Sequence, residues 1–369
     1  MGAAIDYFVD PSGGDDITGD GTIGTPWQTV QHALDTITRN TTHGDQINVK
    51  AGADDVLSSD LVLTTYGTPA YPAPLIIRGY TTAAEDGGVG VIDLNGANSV
   101  AFASTISGCC LVDMEFKGST DTNGVIVGKW AVVDNCYFHD MTNTALRVYE
   151  NHYVINSRFE NIGTYGVALD GESGDAGTVE NCYFENNGSR DMNSCIYSEQ
   201  YSATIAGNIF NIDGSTNGIS IKFFSQIFHN SILSNAGTGA GIICNTTGES
   251  LRMHSNLIEG FSGVGGIGIE YRDDTQLSCN NSAYNNTTNF SSDAIHIAGG
   301  DESLGSSPFA KSGAATFANR LVYFAPNDVG LVRGGAYGDS TRDRGAVQHS
   351  ASGGGIVGTR KHFIFGMTP

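Results

Sequence analysis

A short pattern recurs along the middle of the sequence and limits the fold more than any other feature. Each copy has a small or amide residue, one variable residue and then, in all but one copy, a larger apolar residue. Successive copies start 21 to 26 residues apart, at Cys136, Ser157, Cys182, Asn208, Asn230, Asn256 and Asn281. Repeats of about this length are typical of solenoids, in which one repeat cannot bury its own hydrophobic face. The alternation within each copy predicts a β-strand.

A second series runs in phase with the first and predicts another strand in every repeat. Its copies are Leu146–Val148, Val167–Leu169, Ile196–Ser198, Ile219–Ile221, Ile242–Cys244 and Ile267–Ile269. No helical pattern lies between the two series, which excludes βαβ units. Stacked repeats made of strands alone predict an all-β fold, a parallel β-helix. Right-handed winding is expected because parallel crossovers have that hand.

Stacking of the repeats predicts the role of the first series. Equivalent residues on successive rungs lie ~4.8 Å apart in a sheet. Phe138, Phe159, Phe184 and Phe210 should therefore form an internal stack, continued by Ile232 and Ile258. Asparagines at the preceding position can bond to one another through their amides, which satisfies a buried polar group. The seven cysteines mostly fall on inward positions and include no CxxC, so we expect no disulfide framework.

The composition excludes several classes of partner. The net charge is −21, which opposes nucleic-acid binding and disfavours an anionic polymer unless a cation bridges the two. No apolar run is long enough to span a membrane. The first residues show neither the basic nor the apolar region of a secretory signal.

The sequence divides into four predicted regions. Residues 1–44 form an N-terminal cap, 45–300 the β-helix, 301–350 a C-terminal cap, and 351–369 a Gly linker with a tail. In the N-terminal cap, Thr25 is the predicted N-cap of a short α-helix whose first residue is Pro26. The apolar face of this helix (Val30, Ala33, Leu34 and Ile37) is expected to cover the open end of the stack. The tail, with Lys361–Phe365, either docks on a partner or lies on its own chain as an end strand.

Several segments resemble a known superfamily. Near the start these are Tyr7–Asp10, Gly13–Asp16, Thr25–Val30 and Leu75–Tyr80, and near the end Ser307–Phe309 and Asp343–Gln348. They resemble the opening and closing segments of pectate-lyase-like right-handed β-helix proteins, over about residues 5–349. The resemblance implies that fold. The superfamily includes lyases, glycoside hydrolases, epimerases, adhesins and phage tailspikes, so the resemblance leaves the function open.

Two outward columns on one face of the predicted β-helix form a candidate glycan groove. The residue after each second-series strand makes one column: Tyr149, Asp170, Glu199, Lys222, Asn245 and Glu270. The middle residue of each copy makes the other: Arg147, Ala168, Tyr197, Ser220, Ile243 and Gly268. Tyr149 and Tyr197 can stack on sugar faces, while Arg147, Asn245 and Glu270 supply polar contacts to the substrate.

Asp170 and Glu199 are the predicted catalytic pair. Adjacent rungs place them ~5 Å apart, and retaining glycosidases hold their two carboxyls ~5–5.5 Å apart. One carboxyl would be the nucleophile and the other, with a raised pKa, the acid/base. Lys222 on the next rung would favour ionisation of Glu199. The alternative is a solvated column of mixed charge without catalytic function.

A lyase would need a base and a cation instead. The candidate bases are Arg147, Lys222 and Arg272, and the candidate calcium ligands are Asp170, Glu172, Asp175 and Glu199. A Gly/Asp loop with Asp10, Asp15, Asp16 and Asp20 offers a second place for Ca²⁺, but its spacing fits no defined calcium motif and favours a solvated turn. No compact Asp cluster with a facing Arg of the pectate-lyase kind is visible. The sequence assigns no cofactor firmly, and Ca²⁺ is the one it allows.

Three functional hypotheses follow. The first is a virion-associated protein, such as a phage tail or fibre component, that binds or presents to cell-surface glycans. Because tailspikes of this fold are commonly trimers, it includes a homotrimer and other virion proteins as partners, and it needs no secretion signal. The second is an extracellular polysaccharide lyase or glycoside hydrolase. The third is a structural or adhesive module of a larger surface protein.

Overall fold

The protein is known from a computed structural model that describes most of the chain. The described residues are 5–63, 73–102, 108–171, 176–186, 193–200, 202–245, 251–271, 277–279, 281–291, 295–296, 301–307, 309, 347–349 and 356–358. They form three long sheets of parallel strands. From Asp45 to Ser303, successive strands fall in sheet 1, then sheet 2, then sheet 3 of each coil, so the predicted parallel β-solenoid is confirmed. The third strand of each coil was not predicted.

Sheet 1 has 12 strands. They are β1 (Ile5–Val9), β2 (Asp45–Lys50), β5 (Leu75–Tyr80), β8 (Cys109–Val112), β11 (Val132–Asp134), β14 (His152–Ile155), β17 (Gly177–Glu180), β20 (Ala203–Ala206), β23 (Ser225–Phe228), β26 (Leu251–His254), β29 (Leu277–Cys279) and β32 (Ile295–His296).

Sheet 2 has 11 strands. They are β3 (Asp54–Val56), β6 (Gly90–Gly96), β9 (Met114–Ser119), β12 (Tyr137–Met141), β15 (Arg158–Ile162), β18 (Tyr183–Glu185), β21 (Ile209–Asp213), β24 (Ser231–Asn235), β27 (Leu257–Glu259), β30 (Ser282–Tyr284) and β33 (Glu302–Ser303).

Sheet 3 has 10 strands and carries the candidate groove. They are β4 (Leu61–Val62), β7 (Val100–Ala101), β10 (Asn123–Val127), β13 (Thr144–Tyr149), β16 (Tyr165–Asp170), β19 (Ser194–Ser198), β22 (Asn217–Ile221), β25 (Ala240–Cys244), β28 (Ile267–Glu270) and β31 (Thr288–Phe290).

The predicted aromatic stack fills the interior behind sheet 2. Ring centroids are 5.0 Å apart for Phe138 and Phe159, 4.9 Å for Phe159 and Phe184, and 4.9 Å for Phe184 and Phe210. Phe116 extends the stack by one rung, 5.2 Å from Phe138. All five rings are fully buried. Burial of each ring stabilises the fold by roughly 1.5–3 kcal/mol, and the parallel offset stacking adds to this.

The predicted asparagine ladder is also confirmed. Nδ2 of Asn208 donates to Oδ1 of Asn230 at 3.0 Å, Asn230 donates to Asn256 at 3.0 Å, and Asn256 to Asn281 at 2.8 Å. The last bond, from Asn281 Nδ2 to Asp301 Oδ1, is 2.9 Å long. Asp301 has no side-chain N–H to donate to a further residue, so its carboxylate ends the ladder.

A bend between sheet 1 and sheet 2 explains how the chain turns so tightly just before the column that contains the asparagine ladder. One residue with positive φ occupies it in seven successive coils: Asp113, Asn135, Asn156, Asn181, Gly207, His229 and Ser255. Asp, Asn and Gly tolerate this left-handed conformation better than other residues do. The next residue then points inward, which is why small or amide side chains recur there.

The N-terminal helix begins later than predicted. α1 spans Val30–Thr36, and its N-cap is Thr29, whose hydroxyl accepts from His32 N–H at 3.2 Å. The prediction of Thr25 as N-cap was wrong, because the segment after it is extended and Trp27 forms a β-bridge with Val9. Val30, Ala33 and Leu34 are buried in the common core, as predicted. The helix contacts β1, β2 and β4, and its role as a cover for the end of the stack stays a prediction.

The two ends of the chain add further strands. β1 pairs with β2 at the edge of sheet 1, so sheet 1 begins inside the region predicted as a cap. β34 (Val347–His349) and β35 (Ile356–Gly358) pair antiparallel with each other. Lys361–Phe365 and the Gly linker lie outside the described residues, and the predicted domain limits stay predictions. The cysteines with described side chains are free thiols. Within the described ranges no helix is long enough to cross a membrane.

Candidate functional site: a charged groove on sheet 3

The main chain of sheet 3 places the predicted outward column in register. Tyr149 pairs with Asp170, and Leu169 pairs with Ser198, so Asp170 and Glu199 lie on adjacent rungs. The N–H groups of Glu199, Lys222 and Asn245 continue the ladder beyond the strand ends, to carbonyls 2.9, 2.9 and 2.7 Å away. These bonds hold the column in line even where the strands have formally ended.

Glu270 does not belong to this column. The structure pairs it with Ile243, and pairs Ile269 with Ile242, so Glu270 lies in the column of Arg147 and Tyr197. The expected alignment of Ile267–Ile269 with Ile242–Cys244 was wrong by two residues. A shift of two keeps the alternation of inward and outward side chains. The hydrophobic pattern therefore could not distinguish the two registers.

Asp170 is a partly buried carboxyl beside a cation. Its Oδ2 lies 2.9 Å from Nε of Arg147, and its side chain is 21% exposed. Burial raises the pKa of Asp170 above its usual value, the Arg147 charge opposes this, and the negative charge of Glu199 adds to it. The net direction is upward, towards a carboxyl that holds its proton longer than a free aspartate.

Glu199 has the opposite electrostatic environment. Tyr197 donates its hydroxyl to Oε1 at 2.5 Å, and Nζ of Lys222 donates to the same oxygen at 2.9 Å. The hydrogen bond from Tyr197, followed by that from Lys222, lowers the pKa of Glu199, which agrees with the predicted influence of Lys222. Both of these bonds end on Oε1, and the Glu199 side chain is 38% exposed. Glu199 is thus a carboxylate with a lowered pKa that a substrate can reach from solvent.

Two neighbours of the pair were not predicted. Tyr165 stacks on Tyr197, with ring centroids 4.7 Å apart and planes 12° from parallel, and so limits the positions that Tyr197 can adopt. Gln200 is fully buried, and its Nε2 donates to the main-chain carbonyl of Asp170 at 2.9 Å. Tyr165 lies outside the aligned triplets, and a buried glutamine after a strand carries no sequence signal, so neither could be found from the pattern.

The remaining predicted binding residues flank the pair. Tyr149 is half-buried at the end of β13, directly below Asp170. Asn245 is exposed, and its Nδ2 donates to the hydroxyl of Ser220. Ala168 lies between Arg147 and Tyr197 in the second column and is only 1% exposed, so neighbouring residues cover the sheet at this point. Arg272, Glu172 and Asp175 lie outside the described residues.

Sheet 2 carries a second pair of carboxyls, which the sequence analysis missed. Glu160 and Glu185 are register partners on β15 and β18. Tyr137 donates its hydroxyl to Glu160 at 2.6 Å, and Arg158 lies 3.7 Å from Glu185 with its guanidinium 4.6 Å above the Tyr137 ring. Burial raises the pKa of Glu185. Among the described residues this pair lies on a different face from Asp170 and Glu199, and we refer to it as the sheet 2 pair.

Comparisons with known proteins identify the fold. No protein-family model and no curated protein matches the chain. Among solved structures, pectate lyase Pel9A aligns with a TM-score of 0.53 at 15% identity, over 95% of this chain and 98% of the lyase. A glycoside hydrolase aligns with a TM-score of 0.57 at 10% identity, over 82% of this chain and 96% of that one. The chain has the parallel β-helix fold of pectate lyases.

A third similar structure is a PL6 alginate lyase in complex with a trisaccharide. It aligns with a TM-score of 0.51 at 15% identity, over 76% of this chain and 60% of the lyase, so the β-helix chain spans about 60% of that protein's length. By name, two of the three are polysaccharide lyases and the other is a glycoside hydrolase. At these identities the likeness concerns the fold, and the chemistry of this β-helix depends on its own residues.

The N-terminal loop of this β-helix uses its carboxylates as acceptors within the chain. Asp10 accepts from the N–H groups of Ser12 and Gly13 and from Lys50, at 3.0, 3.0 and 2.6 Å. Asp15, Asp16 and Asp20 likewise accept from nearby N–H and hydroxyl groups. These bonds are typical of turns. In the described ranges no group of three or more His, Cys, Asp or Glu residues is arranged to hold a metal ion.

Proposed function

We propose that this chain is a polysaccharide-binding β-helix protein that hydrolyses its glycan in the sheet 3 groove. The observation that carries the proposal is the Asp170–Glu199 pair. The two carboxyls lie on adjacent rungs, and their surroundings shift the two pKa values in opposite directions. A separation of the pKa values of two neighbouring carboxyls is typical of an acid and a nucleophile that act on one bond.

The roles follow from the two environments. Asp170 would protonate the glycosidic oxygen as its bond to the anomeric carbon breaks, and Oε2 of Glu199 would form an ester with that carbon. Water would then attack the ester, lose a proton to Asp170 and release Glu199. Adjacent rungs give a spacing of ~5 Å, which fits retention of configuration. Tyr197 and Lys222 hold Glu199 ionised, while Tyr149, Asn245, Arg147 and Glu270 would contact the sugars.

The test is a depolymerisation screen with neutral and uronic polysaccharides, read by new reducing ends. Asp170→Asn and Glu199→Gln should each reduce hydrolysis at least 100-fold, because general acid catalysis alone contributes about 10²–10⁴-fold. The matched control is the Glu160→Gln/Glu185→Gln variant of the sheet 2 pair, which should hydrolyse like the wild type. Full activity in the Asp170→Asn/Glu199→Gln double variant would refute the assignment.

A lyase reaction is the second candidate, because two cations flank the carboxyls. In it, Lys222 or Arg147 would remove the proton next to a uronate carboxylate. Ca²⁺, bound by Asp170 and Glu199, would neutralise that carboxylate. Unsaturated ends would then appear with uronic polymers, would require added calcium, and would vanish in Lys222→Met if Lys222 is the base or in Arg147→Gln if Arg147 is. New reducing ends without unsaturation would exclude this reaction.

The biological setting is a separate proposal. A β-helix that binds cell-surface glycans suits a phage tail or fibre component as well as a secreted enzyme, so its location would be the virion or the outside of a cell. A virion role predicts a homotrimer by light scattering, and a monomer would count against it. We also propose right-handed winding and a covering role for α1. Leu34→Asp should then promote aggregation through an uncovered strand edge.

A further inference from the structure

Two exposed aromatic side chains lie close to the groove, at a corner of the coil. The described residues include eight exposed large hydrophobic side chains, and the aromatic ones are Trp130, 58% exposed, and Tyr153, 43% exposed. Exposure of a tryptophan to this extent leaves a large apolar ring in water. Neither residue takes part in the chemistry proposed for Asp170 and Glu199.

The main chain places these two residues and Tyr149 on two neighbouring rungs. Trp130 N–H donates to the carbonyl of Glu150 at 3.2 Å, and Tyr153 N–H donates to the carbonyl of Ala131 at 2.9 Å. Tyr149 precedes Glu150 in the chain and ends β13. Trp130 therefore lies on one rung, and Tyr149 and Tyr153 on the next, where sheet 3 ends and sheet 1 begins. We call Trp130, Tyr149 and Tyr153 the aromatic corner.

The corner continues the groove away from the carboxyls. Val127 pairs with Val148, so the residue below Tyr149 in the column is Gly128, which has no side chain to block the way to Trp130. Asp170 is one rung above Tyr149. The rung of Trp130 thus lies ~10 Å from the rung of Asp170, along the direction of the column. A glycan in the groove would meet the corner with its next sugar rings.

The backbone of Trp130 indicates that its side chain is not there for the fold. Its φ is 56°, a left-handed value that bulky residues rarely adopt. The register of Val132 with Tyr153 makes Asn151 the equivalent residue on the next rung, and Asn151 has φ 50°. Asparagine fits this conformation, so the corner can be built without a tryptophan. Strained residues of this kind concentrate at binding and active sites.

We propose that the aromatic corner binds a pyranose ring of a neutral polysaccharide, as a subsite beyond the catalytic carboxyls. The proposal rests on the glycan-binding function proposed above. The sugar face would stack on Trp130, as apolar sugar faces do on aromatic rings. The nearby charges of Lys129 and Glu150 pair with each other, which leaves no net charge to select a uronate.

Tryptophan fluorescence can test this directly, because the other tryptophan, Trp27, is only 3% exposed. Titration with soluble xylan, galactomannan and mixed-linkage β-glucan should change the Trp130 emission and protect it from acrylamide for at least one polymer. Trp130→Asn should bind that polymer about tenfold more weakly by calorimetry, as expected for the loss of one aromatic contact. Its melting temperature should equal or exceed that of the wild type, since Asn suits the backbone there.

Controls separate this subsite from the catalytic proposal. Tyr153→Thr, which matches the Thr178 partner on the next strand, should also weaken binding, whereas Val264→Asn, at a 95% exposed valine, should not. Unchanged affinity in Trp130→Asn, no response to any of the three polymers, or tighter binding of polygalacturonate would overturn the proposal. Binding without cleavage would leave the corner intact and refute only hydrolysis. Cleavage by Trp130→Asn at wild-type rate and affinity would refute the subsite and leave the hydrolysis proposal in place.

Discussion

Replacement of Asn230 by alanine should destabilise the protein strongly, because Asn230 joins two rungs of the ladder. Its side chain is fully buried. Its Oδ1 accepts from the main-chain N–H of Asn208 at 3.0 Å, and its Nδ2 donates to the carbonyl of Ile205 at 3.0 Å. Alanine removes both partners. Two neighbouring groups keep a partner in the alanine variant. Asn208 Nδ2 still donates to the carbonyl of Val179, and the main-chain N–H of residue 230 still donates to Asn256 Oδ1.

The magnitude follows from the two groups left without their partners. Each buried polar group that loses its hydrogen bond costs about 1–3 kcal/mol, so Asn230→Ala should lower the free energy of unfolding by about 2–6 kcal/mol. Asn230→Ser should cost about half as much. The ladder itself shows why, since Ser157 Oγ accepts from Cys136 N–H at 3.1 Å and so replaces the asparagine oxygen.

Urea unfolding followed by far-ultraviolet circular dichroism would measure the effect. The exposed Asn235→Ala is the control and should change stability by less than about 0.5 kcal/mol. The slope of the transition should be the same in all variants, because only then do the midpoints report stability. A loss below about 1 kcal/mol in Asn230→Ala, or equal losses in the alanine and serine variants, would refute the reasoning.

Three further predictions concern other parts of the β-helix. Burial raises the pKa of Asp55 to about 6, so its ionisation opposes folding as pH rises through that value. Asp55→Asn should therefore be more stable than wild type at pH 8 by up to ~3 kcal/mol and equal to it near pH 4, by thermal unfolding. Arg147→Gln removes the cation that opposes the raised pKa of Asp170, so the alkaline limb of the pH–rate profile should move to higher pH. An unmoved limb would exclude Asp170 as the acid. Phe159→Ala should lower the free energy of unfolding in urea by about 3–5 kcal/mol. A loss no larger than that of a substitution at an exposed site would contradict the buried stack.

Residues with a strict in–out alternation could be placed from the sequence, because neighbours on the chain determine their direction. The aromatic stack, the asparagine ladder and the adjacency of Asp170 and Glu199 are of this kind. Each depends on a period of two within a strand and on a repeat of nearly constant length. The same argument predicted that a single face would carry Tyr149, Asp170, Glu199 and Lys222 together.

Only the tertiary structure decided the features that depend on how neighbouring coils pair and pack. The register of Glu270 is one, since a shift of two residues leaves the alternation unchanged. The start of α1 at Val30 is another, because the β-bridge of Trp27 with Val9 takes up the residues before it. The opposite pKa shifts of Asp170 and Glu199 arise from burial and contacts across rungs, and the pairing of coils places Trp130 and Tyr153 on neighbouring rungs. Such contacts join residues far apart in the chain, and no local pattern records them.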